Sequence, residues 1–245
     1  MDSLTTKPDP RPLYAQVEEI LTRRIAQGQW RPGEILPAEQ EIAQELGVSQ
    51  GTLRKALATM ERRGLIERRQ GRGTFVTAQT SERSRSHYFR VEGRDGARLT
   101  PGSTVTALQC AVAATAAEAQ ALELPPRARV HRMQRIRLLR DRPCILEDIT
   151  LPAARFNAFT VPVGEPLRAE LYVLYQQRHG VFIARAEERL EALLADDHAA
   201  EVLGLSPGAP LLAIERIAFD IAGERVERRW SLLDTRHTRY MTELG

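Results

Sequence analysis

Two arginines one residue apart, Arg135 and Arg137, form the pattern that most suggests ligand binding. They lie in an alternating apolar segment typical of a β-strand, so both side chains should leave the same face of a sheet. Glu147 falls in the next predicted strand and Glu227 in the last one. Two guanidinium groups with nearby carboxylates would suit an anionic or zwitterionic small molecule. A solvated ladder of charges across the sheet fits the spacing at least as well, so spacing alone leaves both interpretations open.

Basic residues are concentrated in a second region, residues 47–77. This segment has seven basic residues against two acidic ones, whereas residues 101–245 have 18 against 19. The whole chain has a net charge of only +3, and all but two of its 35 basic residues are arginine. A basic segment on a near-neutral body indicates one anion-facing surface, and arginine suits bidentate contacts to phosphate or guanine. A solvated helix face would carry the same charge, so this alternative also stays open.

The sequence gives little support to catalysis or metal binding. The five histidines have no pairwise metal-ligand spacing, and neither a Gly-x-Ser-x-Gly motif nor a phosphate-binding P-loop occurs. We therefore predict no catalytic residues, no metal and no cofactor. Cys110 and Cys144 are too few for a disulfide framework and are expected to be buried thiols. Without an apolar run of membrane-spanning length or a visible signal segment, the chain is predicted to be cytoplasmic, with no membrane partner.

The basic segment belongs to a predicted unit of three helices and a hairpin over residues 10–77. Apolar residues at helical spacing predict helices at 12–27, 36–46 and 49–64. Gly47 would end the second helix and Ser49 would cap the third, with only a tight turn between them. Two short strands around the turn Gln70-Gly71-Arg72-Gly73 follow. This order predicts a winged helix-turn-helix, whose third helix would face a DNA groove.

Several motifs in the first 77 residues are typical of one known family. They are Pro12-Leu13-Tyr14, Gly28-x-Trp30-x-Pro32-Gly33-Glu34-x-Leu36-Pro37-Ala38-Glu39, Leu46-Gly47-Val48-Ser49-x-Gly51-Thr52-Leu53-Arg54 and Gly71-x-Gly73-Thr74-Phe75-Val76. Together they resemble the GntR family of bacterial transcription regulators over residues 12–77.

The resemblance implies which residues contact DNA. These are Gln40, Ser49, Gln50, Gly51, Thr52, Arg54, Gly71, Arg72 and Gly73. Gln40 and Gln50 stand where arginine is common in the family. Glutamine can read adenine where arginine prefers guanine, so the operator is expected to differ from the family's usual core at those positions.

The remainder of the chain predicts a second, mixed domain. Residues 78–87 are polar and charged and predict a linker. Beyond them, strands are predicted at 104–111, 130–139, 144–151, 183–192, 211–221 and 224–234, and helices at 114–122, 166–178 and 196–203. Short links between the strands favour antiparallel neighbours. The predicted fold class is therefore α+β, with a winged helix-turn-helix followed by a domain built on one antiparallel sheet.

Residues 88–245 are similar to the UTRA effector-binding domain, which defines the HutC-type subfamily of GntR regulators. The matching motifs are Arg135-x-Arg137, Pro143-x-x-x-Glu147, Leu171-Tyr172, Leu203-Gly204-Leu205 and Gly223-Glu224-x-Val226-Glu227. The resemblance implies a chorismate-lyase-like fold with the effector held by Arg135, Arg137, Glu147, Glu170, Tyr172 and Glu227. In members that sense sugar phosphates the arginine pair contacts the phosphate. Here Glu170 replaces a serine and Leu233 a tyrosine of those members, which favours a smaller carboxylate or an amine-bearing metabolite.

These observations predict a homodimeric repressor whose two winged helices bind a near-palindromic operator in double-stranded DNA. A small anionic or zwitterionic effector in the C-terminal domain would lower the affinity for the operator. Two alternatives remain: an enzyme of chorismate-lyase-like fold tethered to DNA, and a ligand-independent repressor. Turnover of a bound ligand would indicate the first, and a metabolite screen that finds no stabilising ligand would favour the second.

Overall fold

The chain folds into two compact units, which meet in sequence between Ala78 and Gln79. The computed structural model describes residues 11–97, 102–139 and 141–242. The first unit contains α1 (Leu13–Ala26), α2 (Glu39–Glu45), α3 (Gln50–Arg62), β1 (Ile66–Arg69) and β2 (Gly73–Val76). These are the three helices and the hairpin that the sequence predicts.

Local capping determines where α3 begins. Ser49 has an extended backbone, and its Oγ accepts a hydrogen bond from the Thr52 N–H at 3.1 Å. Gly47 has a φ of +64°, a left-handed conformation that favours glycine and turns the chain between α2 and α3. The apolar face of α3, which includes Leu53 and Leu57, is buried where the helix packs on α1 and α2. Burial and capping therefore fix which face of α3 remains in solvent.

The hairpin β1–β2 has a tight antiparallel turn. Ile66 is opposite Val76, and Arg69 is opposite Gly73. Gly73 has a φ of +108°, and a Cβ atom added there would lie 2.8 Å from Cδ1 of Ile35. The backbone conformation therefore favours glycine at this position, whereas the exposed Ile35 side chain could move away from a Cβ atom.

The second unit is built on a six-stranded antiparallel sheet in the order β4-β5-β6-β9-β8-β7. Its elements are α4 (Ser81–Tyr88), β3 (Val91–Gly93), β4 (Gly102–Ala113), α5 (Ala116–Ala121), β5 (Arg129–Leu139), β6 (Arg142–Pro152), α6 (Leu171–His179), β7 (Ile183–Leu194), α7 (Asp197–Leu203), β8 (Pro210–Asp220), β9 (Arg225–Leu233) and β10 (Thr238–Tyr240). The α+β fold class is confirmed.

The two faces of the sheet carry different layers. Helix α6 packs on one face, in an apolar cluster that includes Met133, Ile149 and Tyr175. Helix α7 packs on the other face, against residues that include Leu146. We call the first face, which also carries Arg135, the α6 face, since Arg135 and Met133 are two residues apart on β5.

Four local expectations differ from the structure. Residues 81–88, within and just after the expected linker, form α4, whose first turn is capped by Thr80. Helix α6 begins at Leu171 instead of 166, because Pro166 lies in an isolated bridge to Thr104. The small sheet of β3 and β10 was not predicted, because its three-residue strands are brought together from distant parts of the chain. Cys110 is exposed on the edge strand β4, and only Cys144 is buried.

Candidate functional sites

The residues predicted to contact DNA lie at the N-terminal end of α3 and in the turn between β1 and β2, except Gln40, which lies in the first turn of α2. All of them are exposed except Thr52, which is half-buried. Thr52 Oγ1 lies 2.9 Å from Ser49 Oγ, so these two hydroxyls already bond each other. The longer side chains exposed at the start of α3 are those of Gln50 and Arg54.

Glu39 of α2 orients two arginines of this surface. The Arg54 Nε donates to Glu39 Oε2 at 3.0 Å, and the Arg68 Nη2 donates to Glu39 Oε1 at 3.1 Å. The Arg54 side chain nevertheless remains 66% exposed. Sequence reasoning placed Glu39 at the start of a helix and within a family motif but predicted no contact for it, because its contact with β1 depends on the packing of the hairpin beside α2.

The other basic side chains of the segment 47–77 differ in how free they are. The Lys55 ammonium lies over the Tyr14 ring at 4.1 Å from its centroid. Arg63 pairs with Glu18 at 2.5 Å. Arg72, exposed in the hairpin turn, has no ion pair with any residue in the described ranges. Arg72 is therefore a cation available to an external anion.

The second unit has a pocket on the α6 face of the sheet. Five of the predicted ligand residues line it, namely Arg135, Arg137, Glu147, Glu170 and Tyr172. Glu227, the sixth, lies behind this lining: its Oε1 accepts a hydrogen bond from the Tyr172 hydroxyl at 3.0 Å. The strand register explains this convergence, since Arg135 of β5 is directly opposite Glu147 of β6.

A buried ion network forms the floor of the pocket. The Arg135 Nε donates to Glu147 Oε2 at 2.6 Å. The Arg229 Nη2 donates to Glu227 Oε2 at 2.8 Å, while its Nη1 is 3.5 Å from Glu147 Oε1. The Tyr175 hydroxyl also donates to Glu227 Oε2, at 2.7 Å. Arg229 therefore links both buried carboxylates.

Glu147 and Arg137 keep their charges at neutral pH. Burial alone would raise the pKa of Glu147, but the guanidinium groups of Arg135 and Arg229 outweigh it and lower the pKa to about 2. Burial and the nearby charge of Arg135 lower the pKa of Arg137 to about 10. The network places three buried guanidinium groups, of Arg135, Arg137 and Arg229, beside the two buried acidic side chains of Glu147 and Glu227.

Several buried guanidinium N–H groups are not used within the described part of the chain. The Arg135 Nη1, Arg137 Nε and Arg229 Nε atoms have no hydrogen-bond partner there. The nearest carboxylate to Arg137 is that of Glu170, 3.5 Å from Nη2, and the Arg137 guanidinium packs on the Phe89 ring at 4.7 Å. The cavity has a volume of about 40 Å³, room for roughly two or three water molecules. The pocket therefore offers spare donors to an anion, but it must widen to admit more than a very small one.

Sequence reasoning missed two arginines of this site, Arg229 and Arg216. Arg229 is two residues from Glu227 on β9, and strand alternation could have placed both side chains on one face. Arg216 of β8 donates to the backbone carbonyl of Tyr88 on α4, and its Nε donates to Glu188 at 2.6 Å. No local signal predicts that contact, because it joins strand β8 to a helix far away in the sequence.

In the ranges that the structure describes, no three His, Cys, Asp or Glu side chains are arranged to hold a metal ion. No helix in those ranges has the length and apolar content needed to cross a bilayer.

Comparison with known families accounts for both units. The family described as bacterial regulatory proteins, gntR family, matches residues 13–76, and the UTRA domain matches residues 97–239. The chain belongs to the GntR family. The combination of a GntR helix-turn-helix with a UTRA domain confirms the predicted HutC-type organisation.

Known relatives resemble the chain over nearly its whole length. The transcriptional regulator SmoD of Agrobacterium fabrum is 31% identical over 95% of this chain and 96% of its own. The transcriptional repressor NagR of Bacillus subtilis is 30% identical over 87% of this chain and 86% of its own. A crystal structure of the ligand-binding domain of a Bordetella bronchiseptica protein assigned to the GntR regulators covers 65% of this chain and 98% of that one. Its TM-score is 0.62 at 29% identity.

These matches confirm that this GntR protein is a DNA-binding transcriptional regulator with an effector-binding domain, and that it is not an enzyme. The exposed face of α3 belongs to the unit that matches the DNA-binding family. The pocket lies in the unit that matches the UTRA domain.

Proposed function

We propose that the protein is a homodimeric repressor acting in the cytoplasm, released from a near-palindromic operator by a small zwitterionic or monoanionic metabolite. The observation that carries this proposal is the pocket floor, where buried arginines keep unused N–H groups beside buried carboxylates. A site with both charges suits a ligand with both charges, because each group of the ligand finds a partner already in place.

The DNA contacts are assigned to α3 and the β1–β2 turn. Gln50 and Arg54 would enter the major groove from the start of α3, where the absence of a side chain at Gly51 permits close approach. Arg72, which has no ion pair in the described ranges, would contact phosphate or the minor groove. The bond from Glu39 holds Arg54 in a defined direction, which lowers the entropy lost on binding a base.

The effector would bind between Arg137 and Arg229, next to Glu170. The Glu170 carboxylate is 3.5 Å from Arg137 Nη2 and 3.8 Å from Arg85 Nη1, so it partly occupies the place of an external anion. A phosphate dianion there would meet the negative charge of Glu170, whereas a ligand amine would be attracted by it. Glu170 therefore favours a zwitterion or a monocarboxylate over a sugar phosphate.

Helix α4 would carry the signal. Its residues Ser84, Arg85 and Tyr88 line the pocket, and it begins only three residues after the end of the first unit at Ala78. A ligand that displaces Glu170 from Arg85 changes the contacts of α4, through which the chain passes toward the DNA-binding unit. The effector lowers operator affinity only if it binds the DNA-free conformation more tightly.

Two measurements on the full-length protein test this function. Operator DNA is first selected from a random pool, and its binding is followed by fluorescence anisotropy. A thermal-shift screen then compares amino acids, monocarboxylates and sugar phosphates. We expect an amino acid or monocarboxylate to raise the melting temperature and weaken operator binding. Stabilisation by sugar phosphates alone would refute the ligand class, stabilisation by none would favour a ligand-independent repressor, and failure to select any DNA would refute the DNA contacts.

A further inference from the structure

Strand β7, residues Ile183–Leu194, forms one edge of the six-stranded sheet, and its outer side is open. Its inner side pairs with β8 from Arg185 to Leu194 in one continuous register. In the described chain, no backbone hydrogen bond from outside the sheet reaches residues 184–194. Such an edge offers a row of backbone N–H and C=O groups to another strand.

The opposite edge, strand β4, is protected in ways that β7 is not. The pairing of β4 with β5 has two register shifts, which bend the strand. The loop before α6 also covers it, because the Gly164 N–H donates to Val105 O at 2.8 Å and the Leu167 N–H donates to Ser103 O at 2.7 Å. The fold therefore blocks strand addition at β4 and leaves β7 accessible from Arg185 to Leu194.

The exposed side chains of β7 also indicate a contact surface. Residues 189–192 are exposed on both faces of the strand. Leu190 is 47% exposed and Leu194 is 72% exposed, and both are among the largest apolar groups in solvent. Natural edge strands that avoid partners carry lysine, proline, a bulge or other charged side chains. Residues 185–194 have no lysine, proline or bulge, and their charged side chains are of both signs.

The charges on β7 select a second copy of the same strand. On the face opposite the α6 face, Arg185, Glu187, Arg189 and Glu191 alternate in sign. We propose that β7 pairs with β7 of a second copy, antiparallel about a twofold axis at Glu188, as the interface of the homodimer proposed above. Arg185 then lies opposite Glu191, and Glu187 lies opposite Arg189, so the axis generates four complementary pairs.

Neighbouring registers are disfavoured by the same charges. A twofold axis at Glu187 would place Arg185 opposite Arg189. An axis at Arg189 would place Glu187 opposite Glu191. Like charges directly opposite each other destabilise a strand pair. An axis at Ala186 or at Leu190 avoids like-charge pairs but forms only two complementary pairs instead of four, so the alternation favours the axis at Glu188.

On the α6 face, the same register covers an apolar side chain and reaches the pocket. Leu190 lies opposite Ala186 of the second copy, which removes part of its exposed surface from water. Glu188 lies opposite Glu188 of the second copy. Within each protomer the charge of Glu188 is neutralised by Arg216, whose Nε donates a hydrogen bond to it at 2.6 Å. Because Glu188 and Arg216 both line the pocket, the interface shares residues with the effector site.

Charge-swapped variants of the full-length chain test the proposal by sedimentation. The acidic variant carries Arg185→Glu with Arg189→Glu, and the basic variant carries Glu187→Arg with Glu191→Arg. Each should raise the dimer dissociation constant at least about 100-fold, because every pair becomes repulsive. An equimolar mixture of the two should recover the dimer, which also shows that both variants fold. Glu201→Arg, an exposed charge reversal on α7, is the matched control and should leave the dimer unchanged.

A cysteine pair tests the register. In a Cys110→Ser background, Glu187→Cys with Arg189→Cys should form a disulfide-linked dimer on oxidation, whereas Glu187→Cys alone should not. Equal cross-linking by the single variant would overturn the axis at Glu188. Dimers of unchanged stability in both charge variants, or a mixture that stays monomeric, would overturn the β7 interface without contradicting the homodimer itself. A wild-type chain that is monomeric at every concentration would overturn the homodimer itself.

Discussion

Glu227 is the strongest test of the buried ion network, and we predict that Glu227→Gln destabilises the second unit by about 3 kcal/mol. The side chain is fully buried and accepts hydrogen bonds from Tyr172, Tyr175 and Arg229. A glutamine can keep one oxygen toward Tyr175 and Arg229, and its amide can donate to the Tyr172 hydroxyl. What it cannot keep is the negative charge, and removing one partner of a buried ion pair typically costs about 3–5 kcal/mol. Arg229 would still have the Glu147 carboxylate 3.5 Å from its Nη1, so we expect a cost at the lower end of this range.

Scanning calorimetry of the full chain measures this effect. A loss of about 3 kcal/mol in a unit of this size should lower its melting temperature by about 6–12 °C. The matched control is Tyr175→Phe, which removes one hydrogen bond, keeps the carboxylate and should cost about 1 kcal/mol. Operator affinity measured well below either transition should be retained by both variants if the DNA-binding unit is intact. A cost for Glu227→Gln no larger than that of Tyr175→Phe would refute the assignment of a charged, mutually neutralising network.

Three further predictions concern DNA, pH and thiol reactivity. Arg54→Ala should weaken binding to the selected operator by about 1–3 kcal/mol and relax the sequence preference. Arg72→Ala should weaken binding to specific and random DNA alike, and if Arg72 contacts phosphate only, it should reduce the slope of log affinity against log salt concentration by about 1. Anisotropy titrations at several salt concentrations distinguish the two variants. The pKa of Glu147 is lowered in the folded state from 4.5 to about 2, so its stabilising contribution is complete above about pH 4.5 and is lost as the pH falls toward 2. Urea unfolding between pH 7 and pH 3 should show this loss. Glu147→Gln should make the free energy of unfolding less dependent on pH over that range. Cys110 should react with a thiol reagent in the native protein while Cys144 does not, because burial raises the pKa of Cys144 to about 12; two fast-reacting thiols per chain would contradict this.

The interface at β7 and the effector pocket both concern how ligand binding changes the affinity of the protein for its operator. In the proposed dimer, Glu188 lies at the twofold axis, and Arg216 joins it to the backbone of Tyr88 on α4. A ligand that competes for Arg216 would therefore act on α4 and on the interface together. This coupling requires a difference in ligand affinity between the two arrangements, which the operator titrations measure directly.

The first unit could be predicted almost completely from its sequence, because its determinants are local. Ser49 as a cap, Gly47 in a left-handed turn and Gly73 in the hairpin each act within a few residues of their own position. The apolar spacing of α3 fixes which side chains are buried, and Gln50 and Arg54 remain outside as a consequence. The Glu39–Arg54 contact could not be predicted, because it depends on how two helices pack.

The sequence by itself determined the helix-turn-helix, the α+β class and the pairing of Arg135 with Arg137 on one strand face, since each follows from periodicities of two or 3.6 residues. The tertiary structure alone decided that Arg229 and Arg216 join that face, that Glu227 lies behind Tyr172, and that Cys110 is exposed. It also decided that β7 is an open edge, while β4 is covered. These features depend on the order of strands in the sheet, and strand order is set by contacts between residues far apart in the chain, for which a single sequence carries no local signal.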